Sequence, residues 1–206
     1  MPKRTGSWER VLFTLWLAVA CSLAASRTGF AISPNLVLNG TFVGGSGTVC
    51  TDWTFTAAAS GSDFFYTTIT SGPGGATIAP MYGATSTYYD TISQVVPTQV
   101  GQGYTVAFYL EGGSGGGAFY SQFGTGTAQY ALTGSAPATW TLEQYTYVAT
   151  SSSTTLTFGG YNPPSFYYAT DVSVTALPEP PCALLVGVLV ALLVTLRGAW
   201  MRREAC

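Results

Sequence analysis

The sequence predicts an all-β domain, a sandwich or barrel of short strands, in the middle of a 206-residue chain. Three observations predict it. Tyr104–Leu110, YTVAFYL, alternates strictly, so Tyr104, Val106, Phe108 and Leu110 face a core and Thr105, Ala107 and Tyr109 the other side. The middle of the chain is rich in Thr, Tyr, Phe and Val, which favour pleated, half-buried surfaces. Glycine clusters at 44–47, 72–75 and 112–117 punctuate it with loops. Roughly 145 residues of this composition are enough for one core.

The elements follow in order. Lys3, Arg4 and Arg10 precede the apolar run Val11–Ala25, which reads as a secretory signal peptide over 1–31. Its partner is signal peptidase, cutting after Ala25 or, preferably, after Ala31, because the domain begins near Asn35. NLVLNGTF (35–42) and DWTF (52–55) open the domain. Asn39 matches a glycosylation acceptor but reads as part of the opening strand or turn. TISQVVP (91–97) is a strand ended by proline. QYTYVAT (144–150) and TTLTFGGY (154–161) bracket a serine turn. TDVSVTA (170–176) is a last strand with Val172 and Val174 on one face. The β domain thus spans 32–176, and no stretch of it has helical periodicity.

Charge placement excludes whole classes of function. All seven basic residues lie at Arg27 or before, or at Arg197 or after. Between them stand Asp52, Asp63, Asp90, Glu111, Glu143 and Asp171 with no cation. Nucleic-acid binding needs Lys and Arg against phosphates, so it is excluded as a partner class. An anionic membrane surface is disfavoured for the same reason.

The segment 177–206 reads as an address. Cys182–Leu196 is fifteen residues without a charge, ~22 Å of helix. Extending it to Met201 gives the ~30 Å of a bilayer core, with Arg197 snorkelling and Trp200 at the interface. Arg202 and Arg203 follow, and the positive-inside rule puts that tail in the cytoplasm and the β domain outside. Pro178-Glu179-Pro180, a transmembrane helix at about 182–201 and a basic cluster (Arg197, Arg202, Arg203), paired with a signal peptide, resemble the PEP-CTERM sorting signal of Gram-negative, exopolysaccharide-making bacteria. That resemblance implies an exosortase partner that recognises the motif, removes the helix, and leaves the ectodomain released or attached at the cell surface. The tail RGAWMRREAC is longer than usual, and Pro181 and Cys182 stand where small polar residues are common.

The order of phrases over 35–176 resembles galactose-binding-like jelly rolls, the fold of many carbohydrate-binding modules. The resemblance makes the sandwich a jelly roll. In that family an acid after the NG-F phrase and an acidic pair before the last strand help hold a structural calcium. Here those positions are Val43 and Thr170-Asp171, so Asp171 reads as a calcium ligand or as a surface carboxylate capping a strand end. No other cofactor is implied.

Chemistry is sparse. The chain has no histidine and the domain one cysteine, Cys50, so His/Cys zinc sites and Ser-His-Asp or Cys-His devices are out. Cys50 reads as a buried thiol or an intermolecular disulfide. Sugars present apolar C–H faces that stack on aromatic rings, and Trp53, Tyr66, Tyr82, Tyr88, Tyr89, Tyr120, Tyr161 and Tyr167 are candidates. Most aromatics in an all-β domain are core. The favoured glycan-contacting group is Tyr88, Tyr89 and Asp90, because neighbours on a strand face opposite ways and leave a tyrosine exposed beside an acid; Tyr167, with Tyr168, is second. The expected function is a non-catalytic, surface-sorted component of the extracellular polysaccharide matrix. The alternative is a carbohydrate-binding module recognising exopolysaccharide or another glycan. A compact exposed aromatic patch favours the second; an enzyme needs two carboxylates converging in a cleft.

Overall fold

The computed structural model describes residues 33–83 and 87–178. The signal peptide, the membrane helix, Glu179, Pro180, Arg197, Arg202 and Arg203 lie outside the described residues; of the sorting motif only Pro178 lies within them. Ten strands form: β1 Thr54–Thr56, β2 Phe64–Thr68, β3 Ile78–Tyr82, β4 Asp90–Pro97, β5 Gly103–Gly112, β6 Ala118–Phe123, β7 Tyr130–Thr133, β8 Thr141–Val148, β9 Ser153–Tyr161 and β10 Tyr167–Ala176. They pair into two five-stranded antiparallel sheets, β1-β4-β9-β6-β7 and β2-β3-β10-β5-β8. Among the described residues the only helical turn is a 3-10 turn at Pro73–Gly75.

Alternation decides which side each residue faces. In β5 every second residue from Tyr104 to Leu110 is buried, and β4 buries Asp90, Ile92, Gln94 and Val96. Between the sheets lies an aromatic core: Phe108, Phe119 and Phe158 touch one another with ring centroids 5.0–6.1 Å apart. Ser121 and Tyr145 add a hydroxyl contact of 2.9 Å across the sandwich. Glycine pairs let the layers close. A Cβ at Gly160 would lie 2.9 Å from the Tyr82 side chain.

The opening segment 35–42 is not a strand. Side-chain amides hold it instead. Asn35 accepts from the N–H groups of Val37 and Val174 and donates to the Val172 carbonyl. Gln94 accepts from Leu38 N–H at 2.8 Å and donates to the carbonyls of Leu38 and Asp52. Asn39 sits in a turn at φ 50°, donating to the Val43 and Thr51 carbonyls and accepting from Val43 N–H. Cys50 is a free buried thiol, and burial pushes its pKa up.

Burial also pushes the phenols of Tyr66, Tyr82 and Tyr145 above their ordinary range. A raised phenol favours the folded state fully below the unfolded value of ~10 and less as pH climbs past it, because the unfolded chain ionises first. The melting temperature should therefore hold level from pH 8 and fall above pH ~10. The tyrosinate absorbance of the buried set should rise together with unfolding. A rise that precedes it would contradict their burial.

Candidate functional site

The eight aromatic candidates divide by burial. Trp53, Tyr66, Tyr82 and Tyr167 belong to the core. Tyr167 is fully buried, packs edge-on against Phe119 and donates its hydroxyl to the Gly134 carbonyl. A ring without exposed surface cannot stack on a sugar, so Tyr167 is removed from the glycan-contacting set. Its neighbour Tyr168 points to the other side of β10.

Asp90 is corrected in the same way. It begins β4 on the inner side, wholly buried, and accepts from the Ala58 N–H at 2.8 Å. Its second oxygen has no hydrogen-bond partner. The strand period that exposes Tyr89 turns Asp90 inward, so the acid anchors the 57–63 loop rather than meeting a ligand.

Asp171 sits in a bulge. Between Thr170 and Ser173 two residues of β10 oppose one of β5, and Asp171 takes the left-handed conformation at φ 51°. The bulge sends Val172 into the core and turns the Asp171 carboxyl toward Gly74, whose absent Cβ would come within 2.6 Å of it. Among the described residues no three His, Cys, Asp or Glu side chains group as a metal site. Calcium takes six to eight oxygens, commonly several carboxylates, and one carboxylate does not supply that set.

What remains outside comes together. The Tyr89 ring meets Tyr120 at 5.0 Å and 74°, and Tyr161 at 5.0 Å and 77°, both edge-to-face. Tyr89 is 39% exposed and Tyr88 54%. Three strands contribute one ring each or its immediate neighbour: β4 is preceded by Tyr89, β6 carries Tyr120 and β9 carries Tyr161. The register explains the meeting. Gly159 lies between Thr91 of β4 and Tyr120 of β6. A Cβ there would fall 2.3 Å from Tyr120 Cε1, so the bare glycine lets the Tyr120 ring lie down across β9. Burial by these neighbours raises the pKa of Tyr89 and Tyr120, and each ring adds a smaller push from the tyrosine it faces. Both stay neutral hydrogen-bonding phenols.

Two rows of that outer face are mostly hydroxyl and amide, with the exposed Val95 beyond them. One row across the sheet reads Thr56, Thr91, Gly159, Tyr120, Ala131, and the next reads Thr54, Ser93, Thr157, Gln122. The Gln122 amide is held by donation to the Gly126 carbonyl at 2.8 Å. None of these positions carries a charge. The arrangement offers apolar ring surface beside neutral donors and acceptors. Sequence reasoning named Tyr120 and Tyr161 only among many. It passed over Gly159 and Gln122, although the Gly159-Gly160 pair inside a strand signals close approach of other groups.

No protein-family model matches the chain, and a search of curated proteins finds no match. Solved structures do match. A carbohydrate-binding module of family 61, in complex with β-1,4-galactotriose, is 14% identical with a TM-score of 0.55, over 70% of this chain and 100% of that one. The chain shares with it an all-β fold of two packed antiparallel sheets, consistent with a jelly roll. A proposed sugar-binding protein from Bacteroides thetaiotaomicron is similar over 70% of this chain and all of its own, at 15% identity and TM-score 0.52. An arabinose-bound α-L-arabinofuranosidase shares the jelly roll over 72% of this chain but only 27% of its own, at 12% identity and TM-score 0.52. The jelly roll therefore occurs both as a separate module and as part of a larger enzyme.

Proposed function

We propose that this domain is a non-catalytic module that holds a neutral glycan on the outer face of the β1-β4-β9-β6-β7 sheet. The observation that carries the reading is the Tyr89–Tyr120–Tyr161 cluster, exposed at Tyr89 and half-buried at Tyr120 and Tyr161, beside uncharged rows of hydroxyl and amide side chains. Tyr89 and Tyr120 supply ring surface for the C–H face of a sugar; Gln122, Thr91 and Thr157 supply hydrogen bonds. A module of the same fold seen with β-1,4-galactotriose supports the ligand class. With no cation on the face, an anionic polysaccharide has nothing to pair with.

The chain's address belongs to the same proposal. The basic, apolar and small-residue order over 1–31 and the PEP motif, apolar run and arginines of 178–203 support export and exosortase sorting to the surface of a Gram-negative bacterium. There the domain serves the extracellular polysaccharide matrix by binding its neutral glycan.

The test is calorimetry of the 32–176 domain against neutral and anionic polysaccharides. A neutral glycan should bind saturably, with an affinity insensitive to salt, since screening acts on charge. Tyr89→Ala should weaken it about tenfold, the equivalent of ~1.4 kcal/mol. Equal binding by wild type and Tyr89→Ala would move the site elsewhere, and binding confined to anionic polymers would overturn the ligand class.

A further inference from the structure

We propose that β8 pairs with β8 of a second copy of this chain, antiparallel, about a two-fold axis through Tyr145 and perpendicular to the sheet. The strand is the edge of the β2-β3-β10-β5-β8 sheet and pairs with β5 along all eight residues, with no register shift. Half of its N–H and C=O groups therefore point away from β5. Among the described residues none of them has another backbone partner.

Natural sheets blunt such edges by shortness, lysine, proline or a bulge. The other sheet ends follow the rule: β1 has three residues, β7 four and β2 five. β8 has eight and neither lysine, proline nor bulge; its one blunting feature is an inward-pointing charge. Its one charge, Glu143, faces the inner layer, where it meets the Tyr130 hydroxyl.

The sequence of β8 selects the occupant. Its outward row is Leu142, Gln144, Thr146, Val148, apolar at both ends and polar in the middle. Pairing about Tyr145 sets Leu142 against Val148 and Gln144 against Thr146, each twice. Leu142 is 48% exposed and Val148 59%, so four half-open apolar side chains cover one another. On the inner side Glu143 falls opposite Tyr147, and the two carboxylates stay apart. A charged peptide strand would find no counter-charge in this row. A second copy meets every position with its own kind. The product is a continuous ten-stranded sheet with both tyrosine faces looking the same way. The pairing itself does not rest on the glycan reading.

The full chain in detergent micelles, carrying Cys21→Ser, Cys182→Ser and Cys206→Ser, provides the test. Adding Leu142→Cys together with Val148→Cys and oxidising mildly should give a disulfide-linked dimer on a non-reducing gel. Neither single variant should give it, because like positions then lie ~20 Å apart across the axis, beyond disulfide reach. A double variant that stays monomeric overturns the proposal, as do single variants that cross-link equally well or a ladder of larger species. Gln144→Lys with Thr146→Lys, added to the double cysteine variant, sets ammonium against ammonium at the seam. It should abolish the dimer while the melting temperature holds. A folded chain with both lysines that still gives the cross-linked dimer also overturns it.

Discussion

Phe158→Ala should bring the domain close to unfolding. Phe158 has no exposed surface and packs against Phe108 at 5.0 Å, with Trp53 and Phe119 at 6.1 Å. It stands on β9, the middle strand of its sheet, so neighbours surround it and cannot collapse into the space. Emptying such a site costs about 3–5 kcal/mol, against a whole-domain stability of about 5–15 kcal/mol. For this size the melting temperature should fall by roughly 10–20 °C. Denaturant unfolding would read the same loss as a lower midpoint at unchanged slope. Val95→Ala is the control: on the same sheet but 66% exposed, it should shift stability by no more than ~0.5 kcal/mol. A Phe158→Ala loss under ~1 kcal/mol would mean the two layers do not close on this ring.

Gly159→Val should remove glycan binding and leave the fold standing. The Gly159 backbone is outside the left-handed region, so a strand side chain fits it locally. Its outward Cβ, however, would occupy the space of the Tyr120 ring, 2.3 Å from Cε1. The ring is the part free to move, since it lies on the solvent side of β6. Once lifted, Tyr120 leaves Tyr89 with only Tyr161 as an edge-to-face neighbour and breaks up the patch. The affinity loss should be on the order of 10–100-fold, ~1.4–2.7 kcal/mol, larger than for Tyr89→Ala. Calorimetry and a thermal melt on the same sample separate the two effects. Binding retained at full strength with a native melt would place the sugar away from Tyr120.

The second half of the chain was readable because its strands alternate. β5 matches its sequence pattern residue for residue, and β4, β8, β9 and β10 fall where Thr91–Pro97, Gln144–Thr150, Thr154–Tyr161 and Thr170–Ala176 put them, within a few residues. β2 and β3 were not. FFYTT and IAPMY do not alternate in hydropathy, and Pro80 argues against a strand inside a sheet. Pro80 is tolerated because β3 pairs with β10 only through Met81 and Tyr82, so it falls just beyond that ladder. Of the proposed patch, only Tyr89 stands in the group singled out from the sequence; period two opposes Tyr89 and Asp90, but which of them looks outward depends on how β4 packs. Tyr120 and Tyr161 are 41 residues apart in sequence and each meets Tyr89, brought to it by a register that pairs Ala118 with Tyr161. No single-strand pattern carries that information.

The bare rows of threonine and tyrosine across β4, β9 and β6 have a consequence for descent. Alternate residues of one strand answer to different pressures: Ile92, Phe158 and Phe119 to the interior, and Thr91, Thr157 and Tyr120 to whatever lies outside. A lineage can rewrite the second set while the first keeps the barrier to unfolding unchanged. Recognition can thus drift at nearly constant foldability.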